Sequence, residues 1–319
     1  MSFLPKFQRF AWLCASLILL NLPGHARASD TPVLRLAVSF SILADLAREI
    51  GGERVEVISL VGANEDAHSF QPRPSDARRV GNADLVIING LGFDDWMERL
   101  ARAGGYRGTT LVASAGIHQL AEEEDTHAHE HHEDGHGHDH HGSSDPHAWQ
   151  DVSQVRHYVR NIAKALRTLD PAHSKHYQHQ LARYDQQLAA LDDEIHQAIA
   201  RLPAEQRRAV SSHDAFAYFS HAYGIEFLAP AGLASHAEAS AKGVARLIEQ
   251  LRRERVPAVF LETTIDRRLI ERIAAESGAR IGGTLYSDAL SAADGPAASY
   301  LAMMRHNLRT IIDALSPSP

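Results

Sequence analysis

Residues 170–203 read DPAHSKHYQHQLARYDQQLAALDDEIHQAIARLP. Asp170-Pro171 is a helix start signal, a capping side chain followed by a first-turn proline, and Pro203 is a stop. Between them Leu181, Tyr184, Leu188, Leu191, Ile195 and Ile199 recur at three- and four-residue steps, the spacing of one helical face. About thirty residues of helix reach roughly 45 Å, more than one small domain needs. The stretch predicts a rigid strut between two lobes.

On the N-terminal side of the strut, strand-like runs alternate with helical patterns. Residues 33–39 (VLRLAVS), 55–60 (VEVISL), 84–89 (DLVIIN) and 110–113 predict strands, and residues 42–50, 75–80 and 93–102 predict helices. A further helix starts at Asp151 and reads through Leu169. Beyond Pro203 the rhythm resumes. Strands are expected at 209–211, 225–229, 256–262 and 280–286, and helices at 215–223, 241–255, 265–277 and 298–315. Alternation of this kind predicts an α/β protein whose lobes each hold a mainly parallel sheet flanked by helices. The expected organisation is a leader over 1–28, a first lobe over 29–169, the connecting helix over 170–203 and a second lobe over 204–319.

The leader is read from Lys6 and Arg9, an apolar run over 10–22, Pro23-Gly24 and the small-residue pattern Ala26-Arg27-Ala28. That pattern predicts a secretory signal peptide cleaved after Ala28, and hence an exported, periplasmic protein. The apolar run is short for a membrane span, and no later run is longer. The only cysteine, Cys14, lies inside the run, whereas a lipid-bearing cysteine would follow it. Losing Lys6, Arg9 and Arg27 with no acid moves the formal charge from -8 to about -11.

Much of that charge sits in one place. Residues 122–141, EEEDTHAHEHHEDGHGHDHH, hold eight acidic residues, eight histidines and no aliphatic side chain larger than alanine. Such a segment cannot bury a face and reads as a solvated loop. Its imidazoles (His127, His129, His131, His132, His136, His138, His140 and His141), interleaved with carboxylates, are auxiliary low-affinity ligands for a borderline divalent cation such as zinc. No basic patch argues for nucleic acid or an anionic membrane.

Four further positions carry metal chemistry. His68 (AHSFQPRPSD), His147 (DPHAWQD), His213 (VSSHDAFAYF) and Asp288 (TLYSDALS) each lie beyond a predicted strand or in a loop. In open α/β sheets ligands bind outside the carboxyl ends of the strands. Three imidazoles and a carboxylate there suit a four-coordinate zinc ion. Simpler roles stand beside this one. His68 can be a loop histidine, His147 an extension of the His-rich run, and His213 a cap of a helix starting at Asp214. Asp266 or Glu262 can replace Asp288 as the oxygen donor. Asp66 is a candidate acceptor for a ligand imidazole's second proton, and Trp149 and Phe70 candidates for the cleft wall. His173, His176 and His179, three apart on the strut, read as a polar face; His157, His196, His221, His236 and His306 read as structural.

With those boxes in this order and a His-rich insert before DPHAW, the chain resembles the zinc- and manganese-specific solute-binding proteins of bacterial ABC importers, the ZnuA/TroA type. AHSFQPRPSDARRV and INGLGFDDWM look most like its AztC-type zinc subgroup. The resemblance covers essentially the whole mature chain. It implies a metal in the cleft between two lobes, held by His68 and His147 from the first and His213 and Asp288 from the second. Manganese-preferring relatives typically carry glutamate where His213 stands, which points to Zn2+ as the transported ligand, although copper or nickel would also bind such a set. It implies a membrane permease as partner, a periplasmic zinc chaperone as a candidate donor, and a monomer. Some relatives carry a disulfide in the second lobe that this chain lacks.

Rival readings are a manganese or mixed-metal receptor, a metal-dependent adhesin and a zinc hydrolase. A hydrolase needs a vacant coordination position and a base. The chain has no His-Glu-x-x-His pair, Gly-x-Ser-x-Gly elbow or glycine-rich phosphate loop, so it is not expected to be an enzyme.

Overall fold

The structure is a computed structural model, described here over residues 33–120, 144–230 and 240–316. The leader, the His-rich segment and His236 lie outside the described residues. The first lobe runs β1 (Leu34–Val38), α1 (Ser41–Gly51), β2 (Val55–Ser59), α2 (Pro74–Gly81), β3 (Leu85–Ile88), α3 (Trp96–Ala103) and β4 (Thr109–Val112). Then come α4 (Val152–Leu169) and α5 (Ser174–Ala200). The second lobe runs β5 (Arg208–Val210), α6 (Ala217–Tyr223), β6 (Glu226–Leu228), α7 (Ala241–Glu254), β7 (Ala258–Glu262), α8 (Arg268–Ser277), β8 (Arg280–Leu285) and α9 (Tyr300–Leu315).

Both sheets are four-stranded and wholly parallel, in the orders β2-β1-β3-β4 and β6-β5-β7-β8. The two lobes thus share one winding. Two inner strands read as nearly continuous apolar runs, as strands covered on both faces do: LVII of β3 and AVFLE of β7 are buried throughout, the latter ending in Glu262. In the second sheet the side chains alternate between two cores. Ala209, Ala258 and Phe260 join the large central core, while Val210, Val259 and Leu261 pack under α7 and α8.

The strut is α5. It buries Tyr177, Tyr184, Leu188, Leu191, Ile195 and Ile199, and packs against α1 and α4 of the first lobe and α6 and α9 of the second. Its start differs from the expectation. Residues 171–173 form a tighter 3-10 turn, and the α-helix begins at Ser174. Asp170 does not cap it; its carboxylate accepts from His173 Nδ1 (2.8 and 2.9 Å) and from the Tyr177 hydroxyl (2.8 Å). The strut is therefore nearer 40 Å than 45 Å at ~1.5 Å per residue. A second start also moves: α6 begins at Ala217, so neither His213 nor Asp214 caps it.

Gly104 owes its identity to space. A Cβ there would stand 2.1 Å from the Ala77 carbonyl oxygen, so glycine is what lets the end of α3 close on α2.

Candidate metal centre

Asn89, His213 and Asp288 follow the carboxyl ends of β3, β5 and β8, and Glu262 closes β7, so the two sheets aim their carboxyl ends at one region. His68 lies in the loop between β2 and α2, and His147 precedes the short turn that leads to α4. Each imidazole is fixed through its own backbone. His68 N–H donates to Asp66 Oδ1 (2.9 Å), His147 N–H to Asp145 Oδ1 (2.9 Å) and His213 N–H to Glu262 Oε1 (3.1 Å). Buried Asn89 holds the His147 loop by donating to the Pro146 carbonyl (3.0 Å), and takes the Tyr158 hydroxyl on its other end (2.8 Å).

Two rings are oriented as well. Asp145 Oδ1 also lies 2.7 Å from His147 Nδ1. A carboxylate can only accept, so Nδ1 carries a proton and Nε2, which faces the site, is the nitrogen left to meet an ion. Glu262 Oε2 lies 2.9 Å from His213 Nδ1, close enough for an ion pair but off the line of a hydrogen bond.

The four expected donors converge. His68 Nε2 and His147 Nε2 are 3.3 Å apart. Asp288 Oδ2 is 3.2 Å from His213 Nε2 and 3.8 Å from His68 Nε2, and Oδ1 is 3.5 Å from His147 Nε2. All four ligand atoms lie within 4.8 Å of one another. A tetrahedron with bonds of ~2.0–2.1 Å has edges of ~3.4 Å, so these spacings suit a small four-coordinate ion. The side chains of His147, His213 and Asp288 are fully buried, and that of His68 is 8% exposed. Phe93 meets the His68 ring edge-on at 4.6 Å, and Trp149 lies 5.2 Å from His147. His213 Nε2 and Asp288 Oδ1 are buried without a hydrogen-bond partner among the described residues. Buried polar atoms are seldom left so, and a cation at the common point would satisfy both.

Protonation follows from these contacts. Burial lowers the His68 pKa to about 4, against the pull of Asp288. Burial disfavours the His213 imidazolium too, but Glu262 and Asp288 outweigh it and lift the pKa well above 6.5. Burial would raise Asp288; the imidazoles, His213 foremost, hold it far below the usual carboxylate range instead. Without metal, a proton on His213 stands in for part of the cation's charge.

Glu262 backs His213 rather than replacing Asp288, and Asp266 is exposed and paired with Arg268. Trp149 is wholly buried beside His147, whereas Phe70 packs on Trp96 at 4.7 Å. His173 binds Asp170 and His176 lies 3.0 Å from the Gly51 carbonyl. Among the described residues, His68, His147, His213 and Asp288 are the one cluster with metal-ligand geometry. Asp145 and Glu262 are the supports that residue patterns left unassigned. The repeated Asp-x-His of Asp66/His68 and Asp145/His147 was a usable signal for the first. Glu262 had none, lying 49 residues from His213.

Residues 36–314 match the family model described as zinc-uptake complex component A, periplasmic (ZnuA). The chain belongs to the ZnuA family. It is 34% identical over 289 residues, 91% of each chain, to manganese-binding lipoprotein MntA of Halalkalibacterium halodurans. It is 30% identical over 299 residues, 92% of each, to the manganese ABC transporter substrate-binding lipoprotein PsaA of Streptococcus pneumoniae. The periplasmic zinc-binding protein TroA of Treponema pallidum superimposes with a TM-score of 0.80 at 28% identity, covering 90% of this chain and all of that one. ZnuA-family proteins are metal-binding receptors of ABC importers, not enzymes, and their partner is a membrane permease. The cargo is a divalent metal. Among the described residues no helix is long and apolar enough to cross a membrane.

Proposed function

We propose that this chain is a periplasmic high-affinity zinc receptor that delivers Zn2+ to the permease of an ABC importer, with His68, His147, His213 and Asp288 as the ligands. The observation that carries it is the donor set: three imidazole nitrogens and one carboxylate, three of the four residues buried, with all donor atoms within 4.8 Å of one another. Imidazole suits zinc, whereas manganese prefers more oxygen donors and a higher coordination number. The manganese named for MntA and PsaA favours a manganese or mixed-metal receptor as the second reading. A closed four-ligand shell leaves no position for an activated water, so the site binds without catalysing.

In this reading residues 1–28 direct export to the periplasm, lobes over 29–169 and 204–319 flank the connecting segment 170–203, and the receptor acts as a monomer. The permease engages both lobes and separates the ligands. The histidines of 122–141 collect zinc weakly, from solution or from a periplasmic chaperone, and raise its concentration near the cleft. Deleting 122–141 leaves one tight zinc equivalent and slows loading when zinc is scarce; loss of the tight equivalent would refute that role.

The test is a competition titration of the mature protein, purified without added metal, against zinc, manganese(II) and iron(II), beside His147→Ala. One tight zinc equivalent that manganese displaces poorly, and that the variant lacks, is expected. Tighter manganese binding, or tight zinc binding retained by the variant, would overturn the proposal.

A further inference from the structure

The carboxylate ligand stands on one of the segments by which the first lobe grips the second; others are Tyr300 N–H on Asp45 and the Tyr218 and Tyr223 hydroxyls, which accept from the Leu120 and Val152 amides. Ser287, its neighbour, accepts two hydrogen bonds on one carbonyl oxygen, from Trp149 Nε1 (2.7 Å) and Gln150 Nε2 (2.8 Å). Leu290 N–H donates to Ser41 Oγ (3.0 Å), and the Leu290 carbonyl accepts from Asn64 N–H (2.9 Å). All four partners stand N-terminal to the strut. Trp149 and Gln150 follow His147 by two and three residues, so one short stretch carries a ligand and reaches the base of another. Trp149 is itself pinned, its carbonyl taking the Tyr300 hydroxyl at 2.8 Å. The second lobe's own hold lies one residue earlier, where Asn307 bridges both backbone groups of Tyr286 (2.8 and 3.0 Å).

We propose that residues 287–290 form a clasp that makes lobe closure and the placement of Asp288 one event. This rests on the metal-receptor reading above. Asn307 anchors Tyr286, the grip acts on Ser287 and Leu290, and Asp288 lies between the gripped positions. Displacing the lobes breaks the grip, and Asp288 is the donor the displacement moves first. It is also the only anionic donor, so its withdrawal leaves a dication held by neutral imidazoles and removes most of the Coulomb attraction in a dry site. Release is then set by side chains that never touch the ion. Trp149, Gln150 and Ser41 are positioning residues acting through Asp288.

The experiment is a double-mutant cycle on zinc release, read by stopped-flow transfer to a chelator. Gln150 is buried and its Oε1 has no hydrogen-bond partner among the described residues, so Gln150→Met deletes one donor and keeps the volume. It is measured alone and together with Asp288→Asn. Release accelerated roughly three- to tenfold in the wild-type background, the effect of one lost hydrogen bond, with little acceleration beside Asp288→Asn, is expected. Equal acceleration in both backgrounds would mean general loosening and overturn the clasp, as would no acceleration in either. Ser41→Ala, which removes the Leu290 grip, gives the same cycle should Gln150→Met fail to fold. Asp288→Asn that binds zinc as tightly as wild type sinks the metal-site reading itself; weakened binding with no coupling sinks the clasp alone.

Discussion

Exchanging Glu262 for glutamine probes how the scaffold chooses which imidazole nitrogen meets the ion. Asp145 and Glu262 each back a ligand imidazole, and Asp145→Asn and Glu262→Gln each remove one negative charge. Charge alone therefore predicts similar losses, but the geometry predicts different ones. Asp145 takes both bonds from His147 on a single oxygen, the backbone N–H at 2.9 Å and Nδ1–H at 2.7 Å, while its other oxygen is buried without a hydrogen-bond partner among the described residues. An amide can keep both bonds through its carbonyl oxygen. Glu262 divides its oxygens: Oε1 accepts from Ser212 and His213 N–H (2.7 and 3.1 Å), and Oε2 faces His213 Nδ1 at 2.9 Å. A glutamine that serves the backbone turns its NH2 toward Nδ1, which removes the ion pair and sets N–H against N–H; moving the ring proton to Nε2 relieves that clash but blocks the nitrogen proposed to meet the ion. A glutamine turned the other way leaves two buried N–H groups unpaired, at about 1–3 kcal/mol each. Either route weakens zinc binding roughly 10- to 100-fold, the usual effect of losing a partner behind a metal ligand. Asp145→Asn weakens it less than about tenfold, because the tautomer survives. Competition with a zinc-selective chelator at one neutral pH reads both. Equal losses, or a larger loss from Asp145→Asn, would refute the tautomer argument.

Other consequences can be measured directly. Since the empty site holds a proton on His213 and none on His68, whose pKa is near 4, zinc binding should expel about one proton near neutrality. Apparent affinity should then rise about tenfold per unit between roughly pH 5 and 7; an indicator dye in weak buffer counts the protons, and affinity that does not change with pH would contradict the assignment. Gly104→Ala forces a Cβ against the Ala77 carbonyl and should destabilise the protein by about 2–4 kcal/mol in denaturant melts while leaving zinc stoichiometry unchanged. Chelation of the metal should leave the circular dichroism spectrum intact, since the core is apolar, and lower the melting temperature through loss of the binding term, a stability change of about 2.7 kcal/mol at a hundred-fold excess over Kd; unfolding on chelation would favour a structural metal.

The order of elements was legible because the most buried strands are mainly apolar runs bounded by glycine, proline and polar residues, and because α5 repeats its apolar positions over 27 residues. Helix starts were less so. Asp170-Pro171 has the form of a cap, but the Asp170 carboxylate is taken by His173 and Tyr177. The helix expected over 215–223 begins only at Ala217, because the Ser212 and His213 amides are drawn off to Glu262 before it. The four converging residues could be picked out because they sit in boxes resembling a known family, and His213 and Asp288 also because they follow strand ends. What stays invisible in a linear reading is what joins distant segments: Glu262 behind His213, Gly104 against Ala77, and Trp149 and Gln150 on Ser287.

X-ray absorption at the zinc edge of the loaded protein addresses the coordination most directly. One ion bound to three imidazole nitrogens and one carboxylate oxygen at ~2.0–2.1 Å is the predicted result, with one imidazole lost from the fit in His147→Ala. A shell of five or six mainly oxygen neighbours, or a spectrum that His147→Ala leaves unchanged, would contradict it.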